Sequence, residues 1–325
     1  MFTTTLSSLK DWFGRAFVLA VWLPVFVFAS AAVAVYLAGA GRLASSASAW
    51  AQWRADEKLI ISAEFLLAVT LAAYALDFSQ VTITRLLEGY WPGLPLLRSL
   101  TRWRTQRYER EVARLDQRLE LLSEQIPEEE DGRRVGLLKA EMNRLTERRL
   151  LDFPPPGFES HLMPTRLGNL YKAAELYPYA RYNIDSVVVW PRLLEVLPDK
   201  FVGRLQEVKT AVDFLLLFSL LSALFALLSV PYLLAQGAPP TLVLSCAAGL
   251  PLAWLSYRAA LSPAHAYAEM LKVAFDLHRK ALLKSLGLAA PADLAQERAL
   301  WGEISDFIFR GIPPTSDWQP DAPSK

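Results

Sequence analysis

Four stretches of this chain are almost free of charge, and each is long enough to cross a lipid bilayer. Ala16 to Ala40 and Pro239 to Tyr257 contain no charged residue, while Leu59 to Leu76 has one acid, Glu64, and Ala211 to Ala235 has one, Asp213. About 20 apolar residues in a helix span a hydrocarbon core roughly 30 Å thick. The windows therefore predict an all-α, polytopic membrane protein with four transmembrane helices. The first window also imitates a signal peptide, with Arg15 before it and Ala38-Gly39-Ala40 at its end. Its apolar run is longer than the 7–15 residues or so of a signal core, which favours a retained helix.

Composition matters here only through its segregation. The chain has 325 residues, is 53% hydrophobic and has a net charge of +1, but of its 34 basic and 33 acidic residues only Glu64 and Asp213 fall inside the windows. Such partition excludes a simple soluble globule and a disordered chain. The single cysteine, Cys246, lies within the fourth window, so no disulfide framework exists and the residue reads as small apolar packing.

Basic residues set the expected orientation. Phe78 to Thr210 carries 21 of them and the stretch after Tyr257 carries eight, against three in the first hairpin loop, Gly41 to Lys58, and none in Gln236 to Ala238. The positive-inside rule then places both termini and the middle region in the cytoplasm. Four parts follow: residues 1–91 with helices 1 and 2 (about 16–40 and 59–76, helix 2 extended inward); 92–210, a cytoplasmic region; 211–257 with helices 3 and 4 (about 211–235 and 239–257); and 258–325, cytoplasmic helices followed by a disordered, proline-rich end.

Within the middle region, Val112, Leu115, Leu119, Leu122 and Ile126 repeat at alternating spacings of three and four. Pro127 to Gly132 interrupts the pattern and Val135, Leu138, Met142 and Leu145 resume it. Two such arms over 96–151 predict an antiparallel coiled-coil hairpin. Its first arm is crowded with arginines, of which Arg98, Arg102, Arg104 and Arg107 lie nearest the membrane and are candidate contacts for anionic headgroups. Interleaved acids, a neutral chain and the absence of a nucleic-acid motif argue against DNA or RNA as a partner. Arg258 to Leu286 reads as a long amphipathic helix, continuous with the fourth window or kinked at Pro263, and a last helix covers about Pro291 to Phe309.

No phosphate loop, dinucleotide turn, serine elbow, CxxC pair or HExxH helix is present, so no cofactor, metal or catalytic residue is assigned. His265 and Glu269 share a helical face but lack further ligands, and read as packing residues. The best functional signal is a polar stripe on the second helix: Thr70, Asp77 and Thr84 at seven-residue intervals, with Gln80 and Glu88 beside them. Ionisable groups at membrane depth usually face a bundle interior or an aqueous path. A second polar group, His161, Arg166, Asn169 and Glu175, lies in the cytoplasmic region and is the one place where a lipid-directed enzyme would find its side chains. On the first helix Ser30, Ala34 and Ala38 form a small-residue face that suits close helix packing and a homo-oligomer.

Arg85–Trp91 (RLLEGYW), Met163–Asn169 (MPTRLGN) and Phe275–Arg279 (FDLHR) resemble segments of uncharacterised bacterial four-helix integral membrane proteins. That resemblance implies an inner-membrane location and no activity. The layout of helix pair, cytoplasmic helices, helix pair, cytoplasmic helices is similar to that of bestrophin-type anion channels, although no motif carries across. The leading expectation is a non-enzymatic, oligomeric ion channel or gated pore lined by the second helices and regulated by the cytoplasmic ones. The alternative is a membrane anchor or scaffold whose hairpin recruits a cytoplasmic partner, and the third reading is a membrane enzyme acting on lipid.

Overall fold

The computed structural model describes residues 14–91, 93, 95–314 and 318. Among these the chain is helical, with no β-strand. A π-helical turn, Val18–Trp22, leads into α1 (Leu23–Gly39), followed by α2 (Leu43–Gln52), α3 (Ala55–Phe78), α4 (Gln80–Glu88), α5 (Pro95–Glu128) and α6 (Gly132–Asp152). After a 3-10 turn, Glu159–His161, come α7 (Arg166–Tyr182), α8 (Ser186–Leu194), α9 (Asp199–Ala235), α10 (Pro240–Ala247), α11 (Gly249–Ser285) and α12 (Leu294–Arg310). Four helical stretches are long and apolar enough to cross a membrane: Val18–Gly39, Ala55–Phe78, Asp199–Ala235 and Pro240–Ser285.

The elements group into two compact units that interleave in sequence. One takes Met1–Thr84 and Glu207–Pro263; the other takes Arg85–Gln206 and Ala264–Lys325.

In the first unit small residues let the apolar helices approach. A Cβ on Gly249 would lie 2.7 Å from the Ser222 carbonyl, and one on Gly39 would lie 2.6 Å from the Tyr232 ring. The Ser219 hydroxyl donates to the Ala253 carbonyl at 2.8 Å and that of Ser256 to Leu215 at 2.9 Å. These bonds join α9 to α11 where no water would satisfy them. The small face expected on the first helix divides, with Ala34 exposed and Ser30 bonded to its own helix at the Phe26 carbonyl. The π-helical turn has a local cause. Pro24 has no N–H for the Ala20 carbonyl, and the Leu23 N–H bonds back to Val18 instead, one residue beyond the α register.

The first hairpin loop contains a helix, α2, that the charge pattern did not announce. It opposes α1 and α3 around an apolar groove of about 820 Å³ lined by Phe26, Leu37, Trp50, Trp53 and Phe65. Beyond its apolar window helix 2 is followed by α4 after a one-residue interruption at Ser79, whose hydroxyl bonds to the Ala75 carbonyl.

In the second unit α8, the start of α9, the later part of α11 and α12 enclose a core of Val189, Leu193, Phe201, Phe275, Leu283 and a fully buried Trp301. Asp185 caps α8 by accepting from the Val187 and Val188 amides, which holds three consecutive valines in a helix. Helix α7 runs through Pro178 and α11 through Pro263, so neither proline ends or divides its helix.

Helices α5 and α6 lie antiparallel. Arg118 is bidentate to Glu141 at 2.9 and 3.1 Å, Arg148 pairs with Glu111, and Val112, Leu115 and Leu122 are buried between them. Arg149 is buried and bonds Asp116 at 2.8 Å, the Pro154 carbonyl at 2.5 Å and Glu159 at 3.0 Å. It ties both arms to the proline loop behind them. Helix α5 continues through Pro127 to Glu128, and Asp131 caps α6. The C-terminal stretch read as disordered lies largely outside the described residues; Trp318, which is described, packs edge-on against Phe307.

Candidate functional site

The polar stripe of the second helix resolves into separate environments. Thr70 accepts from Trp22 Nε1 at 3.1 Å and donates to the Leu66 carbonyl at 2.7 Å, so both of its hydrogen-bonding roles serve helix packing. Val69 and Ala73 beside it are buried, whereas Leu67, Leu71 and Phe78 on the other side are exposed, Phe78 by 86%. Thr70 and Asp77 are each half-buried within the first unit. Asp77 lies close enough for its charge to act on Asp213, which Lys209 holds at 2.5 Å. Gln80 and Thr84 are half-buried on α4. Glu64 is exposed.

Glu88 belongs to the second unit, where the two segments RLLEGYW and MPTRLGN meet. Thr165 Oγ1 donates to the Glu88 carbonyl at 2.6 Å while accepting from the Gly168 amide at 3.0 Å, thereby capping α7 and holding the end of α4 together. The fit leaves no room for side chains. A Cβ on Gly168 would fall 2.1 Å from the Glu88 carbonyl oxygen, and one on Gly89 (φ +105°) would fall 2.4 Å from the Pro164 ring. Asn169, fully buried, braces the turn by accepting from the Met163 amide at 2.7 Å and donating to the Met163 and Thr165 carbonyls.

Beyond this junction the Glu88 side chain opens on a cavity of about 330 Å³ that also meets Glu175, Tyr171, Trp190, Tyr267 and Phe275. Burial and the charge of Glu175 push the Glu88 carboxyl above its ordinary value, and the charges of Lys172 and Arg85 only partly offset them. Lys172 binds Glu175 at 2.6 Å. Burial alone would lower its ammonium, but Glu175 and Tyr90 outweigh that and hold it above its ordinary value.

The four side chains of the second predicted polar group have distinct roles. Asn169 is the brace just described and Glu175 borders the cavity. Arg166 pairs with Asp152 at 3.0 Å, and that carboxylate also receives His265 Nε2 at 3.0 Å. His161 is exposed beside Phe158. Glu269 pairs with Lys272, and among the described residues no group of three His, Cys, Asp or Glu side chains forms a metal site.

A polar centre that the sequence did not suggest surrounds Asp276, from the FDLHR segment. It accepts from Tyr177 at 3.0 Å and from Tyr182 at 2.8 Å, and Arg279 stacks over the Tyr182 ring at 4.0 Å while bonding Glu297 at 2.8 Å. Burial and the bond to Asp276 push the Tyr182 hydroxyl up to about 12. Tyrosines 94 and 99 positions away in the chain carry no local signature.

The arginines of α5 and α6 divide in two. Arg118, Arg148 and Arg149 are paired with acids on the facing helix. Arg98, Arg102, Arg107, Arg110 and Arg114 are exposed and pair with no acid among the described residues. Of the candidate headgroup contacts, Arg104 differs, because its Nε donates to the Pro164 carbonyl at 3.1 Å. Trp103, Arg107, Arg110 and Arg114 line one shallow cleft on α5.

No protein-family model matches the chain, and neither a curated protein nor a solved structure is recognisably similar to it.

Proposed function

We propose that this protein is a membrane-anchored scaffold of the bacterial inner membrane, with both termini cytoplasmic and an antiparallel coiled-coil hairpin that recruits an acidic protein partner. The carrying observation is the division of the hairpin arginines. Those between the arms are neutralised internally, while Trp103, Arg107, Arg110 and Arg114 present an aromatic among guanidinium groups that pair with no acid among the described residues. Arginine and tryptophan are the residues that most often anchor protein interfaces. Arg98 and Arg102, nearer the start of α5, suit anionic headgroups. The exposed apolar side of α3 supplies a surface against lipid or a second copy, which accommodates a homo-oligomer.

Co-purification in mild detergent tests the proposal. The wild-type chain should bring down one acidic protein in near-stoichiometric amount, and the triple charge reversal Arg107→Glu, Arg110→Glu, Arg114→Glu should lose it while still inserting in the membrane. Retention of the same partners by the triple variant would overturn the reading.

One observation favours the channel reading as a second choice: Asp77, Asp213 and Lys209 place three charges together on apolar helices. The path would then run among the chain's own helices. Ion flux from liposomes that disappears in Asp77→Ala would support it.

A further inference from the structure

We infer that the cavity between α7, α8 and α11 in the second unit is a binding site for a small organic ammonium ion. The wall chemistry selects that class. Both charged side chains lining the cavity, Glu88 and Glu175, are acidic, and four of the remaining walls are the aromatic rings of Tyr171, Trp190, Tyr267 and Phe275. The rings are arranged in two pairs, Tyr171 with Tyr267 at 6.1 Å and Trp190 with Phe275 at 6.0 Å. Aromatic faces beside carboxylates attract alkylated or primary ammonium groups, whose charge is spread and weakly hydrated. An inorganic anion meets two carboxylates there, and a divalent metal lacks the oxygen ligands it needs.

The two acids are not equivalent. Glu175 already holds Lys172 at 2.6 Å. Glu88 is balanced only by the more distant charges of Lys172 and Arg85, with burial and Glu175 working against its ionised form. An arriving cation supplies what this carboxylate lacks, so Glu88 is the principal counter-ion and its ionisation strengthens with binding. The site also abuts the Thr165 bond to the Glu88 backbone, so occupancy would stabilise that junction. The inference is independent of whether the protein scaffolds or conducts.

Isothermal titration and thermal shift on the full chain in detergent test it, using choline, tetramethylammonium and ethanolamine as probes. The uncharged isostere 3,3-dimethylbutanol is the control. Saturable binding of an ammonium probe with none by the isostere is expected, and Glu88→Gln should weaken it about tenfold or more. Trp190→Leu provides a second variant that removes a ring without altering charge, and should also weaken it. A nanodisc arm identifies the source of the ligand: loss of choline binding in phosphatidylethanolamine-containing discs, but not in discs lacking it, assigns the site to a lipid headgroup, and equal binding in both assigns it to a free amine. Absence of saturable binding by all three probes, equal binding of the isostere, or unchanged affinity in a folded Glu88→Gln protein would overturn the inference.

Discussion

Gly168→Ala isolates the junction between the end of α4 and the start of α7. The added methyl group would sit 2.1 Å from the Glu88 carbonyl oxygen and 2.8 Å from Met163 Cβ. Neither obstacle is the tip of a flexible side chain. One is backbone at a helix end, the other is fixed by the Asn169 brace on Met163. The two segments must therefore separate by about an ångström or more to reach ordinary contact distance. Overpacking of this kind costs about 1–3 kcal/mol. The displacement also breaks the 2.6 Å bond from Thr165 to the Glu88 carbonyl, worth about 1 kcal/mol. In a chain of 325 residues a loss of about 2–4 kcal/mol lowers the unfolding midpoint by about 3–6 °C. Thermal unfolding of the purified protein in detergent, followed by tryptophan fluorescence, measures it. Limited proteolysis should show new cleavage after Gly89. Gly136→Ala serves as the control: it lies on α6 with nothing within 4 Å of a new Cβ, and should be neutral or stabilising by up to about 1 kcal/mol. A Gly168→Ala protein as stable and as protease-resistant as wild type, or an equal loss in Gly136→Ala, would refute the reasoning.

Arg149→Leu should cost about 1–3 kcal/mol, because it removes the bond to the Pro154 carbonyl and those to two half-exposed carboxylates, and should open the proline loop to protease. Burial would raise Asp152, yet the hydrogen bond from His265 and the charge of Arg166 outweigh it and hold the carboxyl below its ordinary 3.8. Its contribution is therefore present above 3.8 and lost as pH falls through the depressed value; thermal unfolding of Asp152→Asn between pH 5 and pH 2 should show a weaker acid dependence than wild type. Glu88 has the opposite sign: ionising it costs stability as pH rises from 4.5 through its raised value, so Glu88→Gln should gain in unfolding temperature at pH 8 relative to pH 4. Gly249→Ala, 2.7 Å from the Ser222 carbonyl, should loosen α9 from α11 by about 1–3 kcal/mol, measurable as a lower midpoint in the same assay.

Charge-free length made the four long apolar helices legible, because the membrane's demand on a helix is written in consecutive residues. The alternating apolar spacing likewise marked two stretches that are helical, α5 and α6. Helix α2 escaped notice because LASSASAWAQ has no long apolar run, and none of its residues is buried. The sequence left the helix at Pro263 continuous or kinked; it is helix interior, as is Pro178. The stripe residue Glu88 was visible as an ionisable group, but not its partners, which come from a helix some 80 positions on. The Asp276 centre was invisible for the same reason: its hydroxyl donors lie on α7, and no spacing rule connects them.

The central claim is that the outer face of α5 meets an acidic partner, and site-specific photo-cross-linking in living cells tests it most directly. With a photoreactive residue at Trp103, Arg107 or Arg110, all three positions should capture the same acidic protein, and position Lys139 on the other arm should not. Cross-links only to lipid, only to other copies of this chain, or equally from Lys139 would contradict the account.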